Sequence, residues 1–334
     1  MSASPEDLRR LLCNLGTHLR ERILAERSQQ TSASLASVAA QSAADTIYVI
    51  DKISEAAISE WFTSTWPASE PVQVIMEGVE ENEGLCFPAG TAPDQTKWKC
   101  LLDPIDGTRC IMYDKRSAWT LAGIAPQRGD ETRLSDIIAA AMTELPTTKQ
   151  WRSDQISAVR GGGLVMESTN ILDGSRHPLA LAPSNATDFR HGFSWMAKYF
   201  PEGRTLTAQI EEQLWDELVG VGREPSPVIF DDQYLSTAGA FYELIAGHDR
   251  MVGDLRPLVY ARLDLEFSLV CHPYDVCIAL LLEEAGIIYE HPLGGFPDAP
   301  LDTTSGVAWV AYANPFLAAQ ARPVLQRILH QCLG

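Results

Sequence analysis

The sequence predicts a layered α+β fold made of two closely packed halves, and three observations carry that prediction. Helical periodicity and short apolar runs bounded by turn residues both occur along the whole chain. They do not alternate in the regular strand–helix order of a doubly wound parallel sheet. No internal repeat or low-complexity linker divides the 334 residues. The pattern restarts near residue 150, so a single unit over 1–334 is expected to consist of an N-terminal half, 1–150, and a C-terminal half, 151–334.

Taken in order, Leu8, Leu11, Leu12, Leu15 and Leu19 fall on one helical stripe and predict an amphipathic helix from Pro5 to about Arg27. Ser28 to Ser42, rich in Ser, Ala and Gln, reads as a loop or a weak helix. Asp51 opens a second helical pattern through Ile53, Ala56, Ala57 and Trp61, stopped by Trp66-Pro67, because a residue before proline disfavours the helical region. Val72–Met76, Trp98–Leu102 and Ala118–Ala125 read as buried strands, and Ile137–Met142 as a strand or a helix. In the second half, Ile156–Arg160 and Gly163–Met166 flank the Gly161-Gly162-Gly163 run as strands. Leu206–Val219 and Thr237–Ala246 read as helices, as does Asp275–Ala285, where Gly286 marks the stop. Val307–Ala313 is a predicted strand and Pro315–Leu333 a closing helix.

Composition narrows the partners. Lys and Arg number 26 against 44 Asp and Glu, a formal charge of -18. Such a chain lacks the cations for a sequence-independent grip on nucleic acid or an anionic membrane surface. If the substrate is an anion, something cationic must join the site, and bound metal is the obvious source. The opening MSASPEDLRRLLCNLGTHLR has no uninterrupted apolar stretch and is not expected to act as a signal peptide. The longest apolar run, Val276–Leu282, is seven residues, far below the roughly 20 needed to span a bilayer. Seven cysteines without a C-x-x-C pair read as free thiols of a cytoplasmic protein.

The segment richest in chemistry is Leu102-Asp103-Pro104-Ile105-Asp106-Gly107-Thr108. Two carboxylates three residues apart converge if the chain turns there, and the Ile105 carbonyl lies between them. Gly107 lets backbone approach a ligand. Thr108 offers a hydroxyl at a helix start, where the dipole favours an anion. Oxygen-only ligation suits a hard cation, Mg²⁺ before Mn²⁺ or Ca²⁺. An isolated Asp-Gly is a common turn, and Asp173-Gly174 reads as one; the complete string after an apolar strand is more specific.

Here the sequence resembles the inositol monophosphatase family, within the lithium-sensitive, magnesium-dependent phosphatases that also include fructose bisphosphatases and bisphosphate nucleotidases. Asp103-Pro104-Ile105-Asp106-Gly107-Thr108 is a full match to that family's central motif. Val74-Ile75-Met76-Glu77-Gly78 lies where the family ends a strand in Gly-Glu-Glu, with Gly78 departing from the second Glu. Val49-Ile50-Asp51 stands at the family's Thr-x-x-Asp. His272-Pro273-Tyr274-Asp275, with Ala279 and Glu284-Ala285-Gly286, resembles its Trp-Asp-x-x-Ala and Glu-Ala-Gly-Gly motif, with Tyr274 for Trp. Tyr312-Ala313-Asn314 is similar to its closing strand. The likeness spans nearly the whole chain, with 185–235 longer than in typical members.

The resemblance implies a layered α-β-α-β-α sandwich and a cytoplasmic, homodimeric phosphomonoesterase that hydrolyses a small phosphorylated metabolite by attack of an activated water. It implies two or three Mg²⁺ ions (Mn²⁺ being an alternative) and sensitivity to Li⁺. Glu77, Asp103 and the Ile105 carbonyl would hold a first ion, and Asp103, Asp106 and Asp275 a second. Thr108 and, through it, Asp51 would orient the water, with Glu77 also counted as catalytic. Gly107 and Thr108 would bind phosphate. The N-terminal half would carry most ligands; the C-terminal half would carry Asp275 and specificity. Thr237 and Ala238 stand where the family faces its substrate, although Ser236-Thr237-Ala238 also reads as a helix cap. Arg109 would touch an anionic substrate or pair at the surface. The family's inositol-contacting Glu falls at Ser268, with Glu266 nearby. His272 is either near the site or structural. The glycine run reads as a tight turn, since no Lys-Ser/Thr follows it. The alternatives are fructose bisphosphatase-like or nucleotide phosphatase activity, and, of another class, a silent binding protein retaining the fold. A calcium module fits poorly, because the alternating D-x-[DN]-x-[DN]-G pattern is missing.

Overall fold

The computed structural model describes residues 3–29, 38–41, 46–78, 85–220, 227–265 and 269–334. The first helix, α1, spans Pro5–Gln29. Its start is fixed by reciprocal bonds: the Asp7 N–H donates to Ser4 Oγ at 3.2 Å, and the Ser4 N–H donates to Asp7 Oδ2 at 3.0 Å. Leu8, Leu12, Leu15 and Leu19 are buried along it, as the leucine spacing predicted. A short antiparallel pair follows, β1 (Val38–Gln41) and β2 (Thr46–Tyr48). The Ser28–Ser42 stretch therefore ends in a strand, while 30–37 lie outside the described residues. Helix α2, Val49–Thr65, starts two residues before Asp51 and stops ahead of Trp66-Pro67.

The main sheet has eight strands in the order β10-β9-β8-β7-β6-β5-β3-β4. They are β3 (Val72–Met76), β4 (Leu85–Phe87), β5 (Trp98–Asp106), β6 (Ala118–Pro126), β7 (Ala139–Leu145), β8 (Arg152–Val159), β9 (Leu164–Asn170) and β10 (Arg176–Pro178). Its central strands are buried on both faces, so they lack polar alternation and read as continuous apolar runs. Their period of two still sorts the faces. Val72, Val74, Met76, Cys100 and Leu102 meet the leucine stripe of α1 and Ile58, Trp61 and Phe62 of α2. Ile75, Leu101, Leu121 and Met142 point the other way, into the larger core. Truncating one such side chain, Leu102→Ala for instance, removes roughly 2–5 kcal/mol.

The second sheet has five strands in the order β12-β11-β13-β15-β14: β11 (Gly192–Met196), β12 (Ile229–Phe230), β13 (Asp249–Asp254), β14 (Ile288–Glu290) and β15 (Trp309–Tyr312). The helix at Thr237–Ile245 packs between the two sheets, touching β6 on one side and β13 on the other. Beyond the second sheet lie helices at Arg204–Val219, Arg256–Arg262 and Pro315–Leu333. The result is the α-β-α-β-α order of layers that was expected.

Two expectations are corrected. The passage between sheets falls between Pro178 and Gly192, not near residue 150, because β8, β9 and β10 extend the first sheet by antiparallel hairpins. The segment 275–285 is not one helix. A 3-10 turn over Pro273–Val276 gives way to a short helix at Leu280–Glu284, and Leu281 N–H bonds Ile278 O three residues back at 2.9 Å. The cause is close packing: a Cβ on Gly123 of β6 would stand 2.4 Å from the Cys277 carbonyl oxygen, so sheet and turn meet backbone to backbone. Ile137–Met142 resolves to strand, since β7 must pair with both neighbours. Gly161-Gly162-Gly163 is the expected tight turn; the Gly161 and Gly163 N–H groups donate to the Glu284 carboxylate at 2.6 and 2.8 Å, so the anion they hold belongs to the chain itself. Asp173-Gly174 is a plain turn in which Asp173 accepts from the Ser175 N–H. All seven cysteines are free, four of them buried. Among the described residues, no helix is long and apolar enough to cross a membrane.

Candidate functional site

The site forms where β5 leaves the main sheet. In a regular strand, residues three apart point to opposite faces, so Asp103 and Asp106 would diverge. They do not, because the ladder slips. Asp103 pairs with Leu121 and Asp106 with Trp119, so three steps on β5 match two on β6. That extra residue is a bulge, and it turns both carboxylates to one side. Thr120 Oγ1 donates to the Pro104 carbonyl at 2.9 Å inside the bulge. Asp103 Oδ1 accepts the Ile105 N–H at 3.0 Å, and Thr108 Oγ1 donates to the Ile105 carbonyl at 2.8 Å.

The chain then reverses at Gly107, whose φ of 91° is left-handed. A Cβ there would lie 3.1 Å from Ser236 Cβ and 3.3 Å from the Leu235 carbonyl. This close approach joins the motif to the start of the Thr237–Ile245 helix. Ser236 caps that helix by accepting the Gly239 N–H at 2.8 Å, and its hydroxyl donates to Asp106 Oδ2 at 2.8 Å. The N–H groups of Thr237 and Ala238 add bonds to Asp106 of 3.3 and 2.6 Å.

Asp275 arrives from the other half, in the 3-10 turn, with its Oδ2 accepting the His272 N–H at 2.6 Å. One oxygen each from Asp103, Asp106 and Asp275 lie within 4.8 Å of one another. Glu77 follows β3, and its N–H reaches the Leu102 carbonyl at 3.4 Å, which sets it beside Asp103. Burial pushes the Asp103 carboxyl well up, with Glu77, Asp106 and Asp275 adding to the rise and the Ile105 N–H opposing it. Burial, then Asp275, pushes Asp106 up to about 7 against the three donors from 236–238.

These groups open on a cavity of about 110 Å³ lined by Glu77, Asp103, Ile105, Asp106, Gly107, Thr108, Arg109, Thr237 and Asp275 among others. The structure thus gathers almost every residue singled out in the sequence. Asp51 stands in the first turn of α2; its side chain, like Ser268 and Glu266, lies outside the described residues. Ala238 is fully buried; its amide holds Asp106, and its side chain does not line the cavity, so here the cap reading displaces the substrate-facing one. His272 lines the cavity and is also tied into the fold, with Nδ1 2.9 Å from the Ser305 carbonyl oxygen and its ring stacked on Tyr274. Five further lining residues, Tyr199, Leu235, Arg256, Leu269 and Val270, were not anticipated. The signal for Arg256 was Asp254-Leu255-Arg256, opposite charges two apart at a strand end. A second cavity, about 470 Å³, includes Glu144 and Glu243 in its lining, but Glu243 pairs with His248, and among the described residues no cluster of three ligating groups forms there.

No family model and no curated protein matches the sequence. Solved structures do. Extragenic suppressor protein SuhB from Bartonella henselae superposes with a TM-score of 0.65 at 14% identity, covering 96% of this chain and 98% of that one. Leishmania major fructose-1,6-bisphosphatase gives 0.66 at 13%, covering 96% and 94%. Staphylococcal IMPase-II gives 0.60 at 17%, covering 98% of each. Likeness at these identities establishes the fold: the chain is built as the inositol monophosphatase and fructose-1,6-bisphosphatase structures are, from end to end.

Proposed function

We propose that this chain, sharing that fold, is a divalent-metal-dependent phosphomonoesterase acting on a small phosphorylated metabolite. The observation that carries the reading is the convergence of Asp103, Asp106 and Asp275, from segments some 170 residues apart in sequence, with their oxygens within 4.8 Å. Two of them are buried. Oxygen-only donors fit a hard cation, Mg²⁺ ahead of Mn²⁺. Glu77, Asp103, the Ile105 carbonyl, Asp106 and Asp275 would hold the ions. When bound, such ions supply positive charge to phosphoryl oxygens and make water acidic enough to act near neutral pH.

The remaining work belongs to the chain. The Gly107 turn and Thr108 place backbone amides and a hydroxyl where phosphoryl oxygens would sit, since Gly107 has no side chain to block approach. Thr108, anchored at the Ile105 carbonyl, leaves its oxygen lone pairs to orient the attacking water, and Asp51 is assigned as the acceptor of the water's proton. The three donors at 236–238 hold Asp106 in place, so that site geometry depends on the cap of a helix in the second half. Thr237 and Arg109 contact the ester's leaving portion. The reaction breaks the P–O ester bond, transfers the phosphoryl group to water and returns the proton to the departing alcohol.

The test is phosphate release from a panel of inositol, sugar and nucleotide phosphates with and without Mg²⁺. Turnover that requires the ion, and that falls well over a hundredfold in Asp103→Asn, supports the reading; several kcal/mol of transition-state stabilisation corresponds to such a loss. A folded Asp103→Asn protein with near-normal turnover defeats it. A panel without any release favours the silent binding protein.

A further inference from the structure

We infer that Arg256 is a specificity residue of this cavity and selects esters bearing a second anionic group, a carboxylate or another phosphate, on the portion that leaves. This rests on the phosphatase reading for the first group alone.

Arg256 is the first residue of its helix, directly beyond β13. The Asp254 carboxylate accepts its Nε–H, at 2.9 Å to Oδ1 and 3.0 Å to Oδ2, and also its Nη2. The Arg256 backbone N–H adds a 3.0 Å bond to Asp254 Oδ1, and Nη1 donates to the Leu269 carbonyl at 3.1 Å. The guanidinium carbon lies 5.1 Å from the Tyr199 ring centre and 5.5 Å from that of Phe200. The side chain is therefore fixed on several sides, and binding a ligand costs it little further rotamer freedom. A guanidinium has five N–H groups. Nε, one on Nη2 and one on Nη1 are taken, which leaves one on each Nη. Two N–H donors on a fixed cation can bond the oxygens of a carboxylate or phosphate.

Arg256 is among the residues that line the cavity, together with Tyr199, Leu269, Val270 and His272. Among the described residues, the carboxylates of that lining, Glu77, Asp103, Asp106 and Asp275, all belong to the proposed metal end. Asp254 is 1% exposed and turned to Arg256, so it supports the cation without offering the cavity an acceptor. Burial works against the charge on Arg256, and Asp254 more than offsets it, so the guanidinium stays protonated. A buried ion pair adds little stability over apolar residues of the same size. Its position at the wall of this cavity is accounted for by recognition.

The experiment uses phosphonates, whose C–P bond resists hydrolysis, so that binding is read without turnover. Alkylphosphonates, ω-carboxyalkylphosphonates and alkane diphosphonates of two to five carbons are titrated calorimetrically into the Mg²⁺-loaded protein. At the best chain length, an anionic tail is expected to tighten binding at least tenfold over the plain alkyl tail of equal length. Arg256→Gln is expected to reduce that ratio below twofold, and Arg256→Lys, which keeps charge but loses the fork, to leave it intermediate. Because Arg256→Gln strands the Asp254 carboxylate, the pair Asp254→Asn/Arg256→Gln is measured too, with near-UV circular dichroism as the check on folding. The carboxylate and diphosphonate arms tell the two anions apart. A wild type indifferent to the tail overturns the inference, as does a tail preference that survives in the folded double variant. Tail-dependent binding without phosphate release from any ester overturns the phosphatase reading and leaves the role of Arg256 standing. Release without tail preference does the reverse, and failure of every phosphonate to bind overturns the inference about Arg256.

Discussion

Replacing Ser236 by alanine should disturb stability and the site together, because one hydroxyl serves both. Its oxygen accepts the Gly239 N–H at 2.8 Å as the helix cap, and its proton goes to Asp106 Oδ2 at 2.8 Å. Losing the cap costs about 1 kcal/mol. Losing a hydrogen bond to a charged group costs about 1.5–3 kcal/mol. The position is buried, and water is poorly placed to substitute. The expected loss is therefore about 2–4 kcal/mol at pH 8, where Asp106 is ionised, read by urea denaturation. Asp106 retains its bonds to the amides of Thr237 and Ala238, which sets the upper end. The second consequence is a proton effect. Asp106 is pushed up to about 7 although the Ser236 hydroxyl lowers it; without the hydroxyl it rises further. Protons then compete better with metal for the same oxygens. The Mg²⁺ concentration that gives half the maximal rise in melting temperature should increase in Ser236→Ala, and by more at pH 6.5 than at pH 8.5. A variant that loses less than 1 kcal/mol, or whose Mg²⁺ response shifts equally at the two pH values, would refute the idea that this hydroxyl couples cap and carboxylate.

Mg²⁺ should stabilise the wild type by mass action, about 2.7 kcal/mol at a hundred times its dissociation constant; an Asp275→Asn melting curve that climbs as far as the wild type's would show that the second half contributes no ligand. Gly107→Ala should lose at least 1 kcal/mol in urea denaturation, since its φ is 91° and its Cβ would press on Ser236 at 3.1 Å; a neutral result would mean the turn relaxes freely. Asp249, which accepts the Trp195 indole N–H at 2.9 Å, is pushed by burial up to about 7. A carboxyl raised on folding leaves stability highest below about pH 4 and erodes it as pH rises to 7. Asp249→Asn keeps an acceptor for Trp195 and should remove about 4 kcal/mol of that decline; an unchanged pH profile of unfolding would place the slope elsewhere.

Much of this protein was written locally. The leucine stripe of α1 predicted its buried face, Trp66-Pro67 its neighbour's end, and Pro315–Leu333 the closing helix, because each depends on residues within a few positions. The string Asp103 to Thr108 disclosed its chemistry for the same reason: ligand type and spacing lie in one stretch of chain. Tertiary structure decided what distance along the chain conceals. The bulge that turns Asp103 and Asp106 to one side exists only in the register of β5 against β6. The division of 275–285 into a 3-10 turn and a short helix follows from contact with Gly123 on a distant strand. The change of sheet at 178–192 rather than near 150 depends on which hairpins extend the first sheet. The burial of Ala238 and the place of Arg256 in the cavity wall are tertiary too, because a side chain's role is set by what packs against it. Sequence by itself determined the long helices, about half of the strands and the kind of atom that gathers at the site. Packing between halves determined which of those atoms meet, since apolar periodicity specifies a buried face without naming the surface that will bury it.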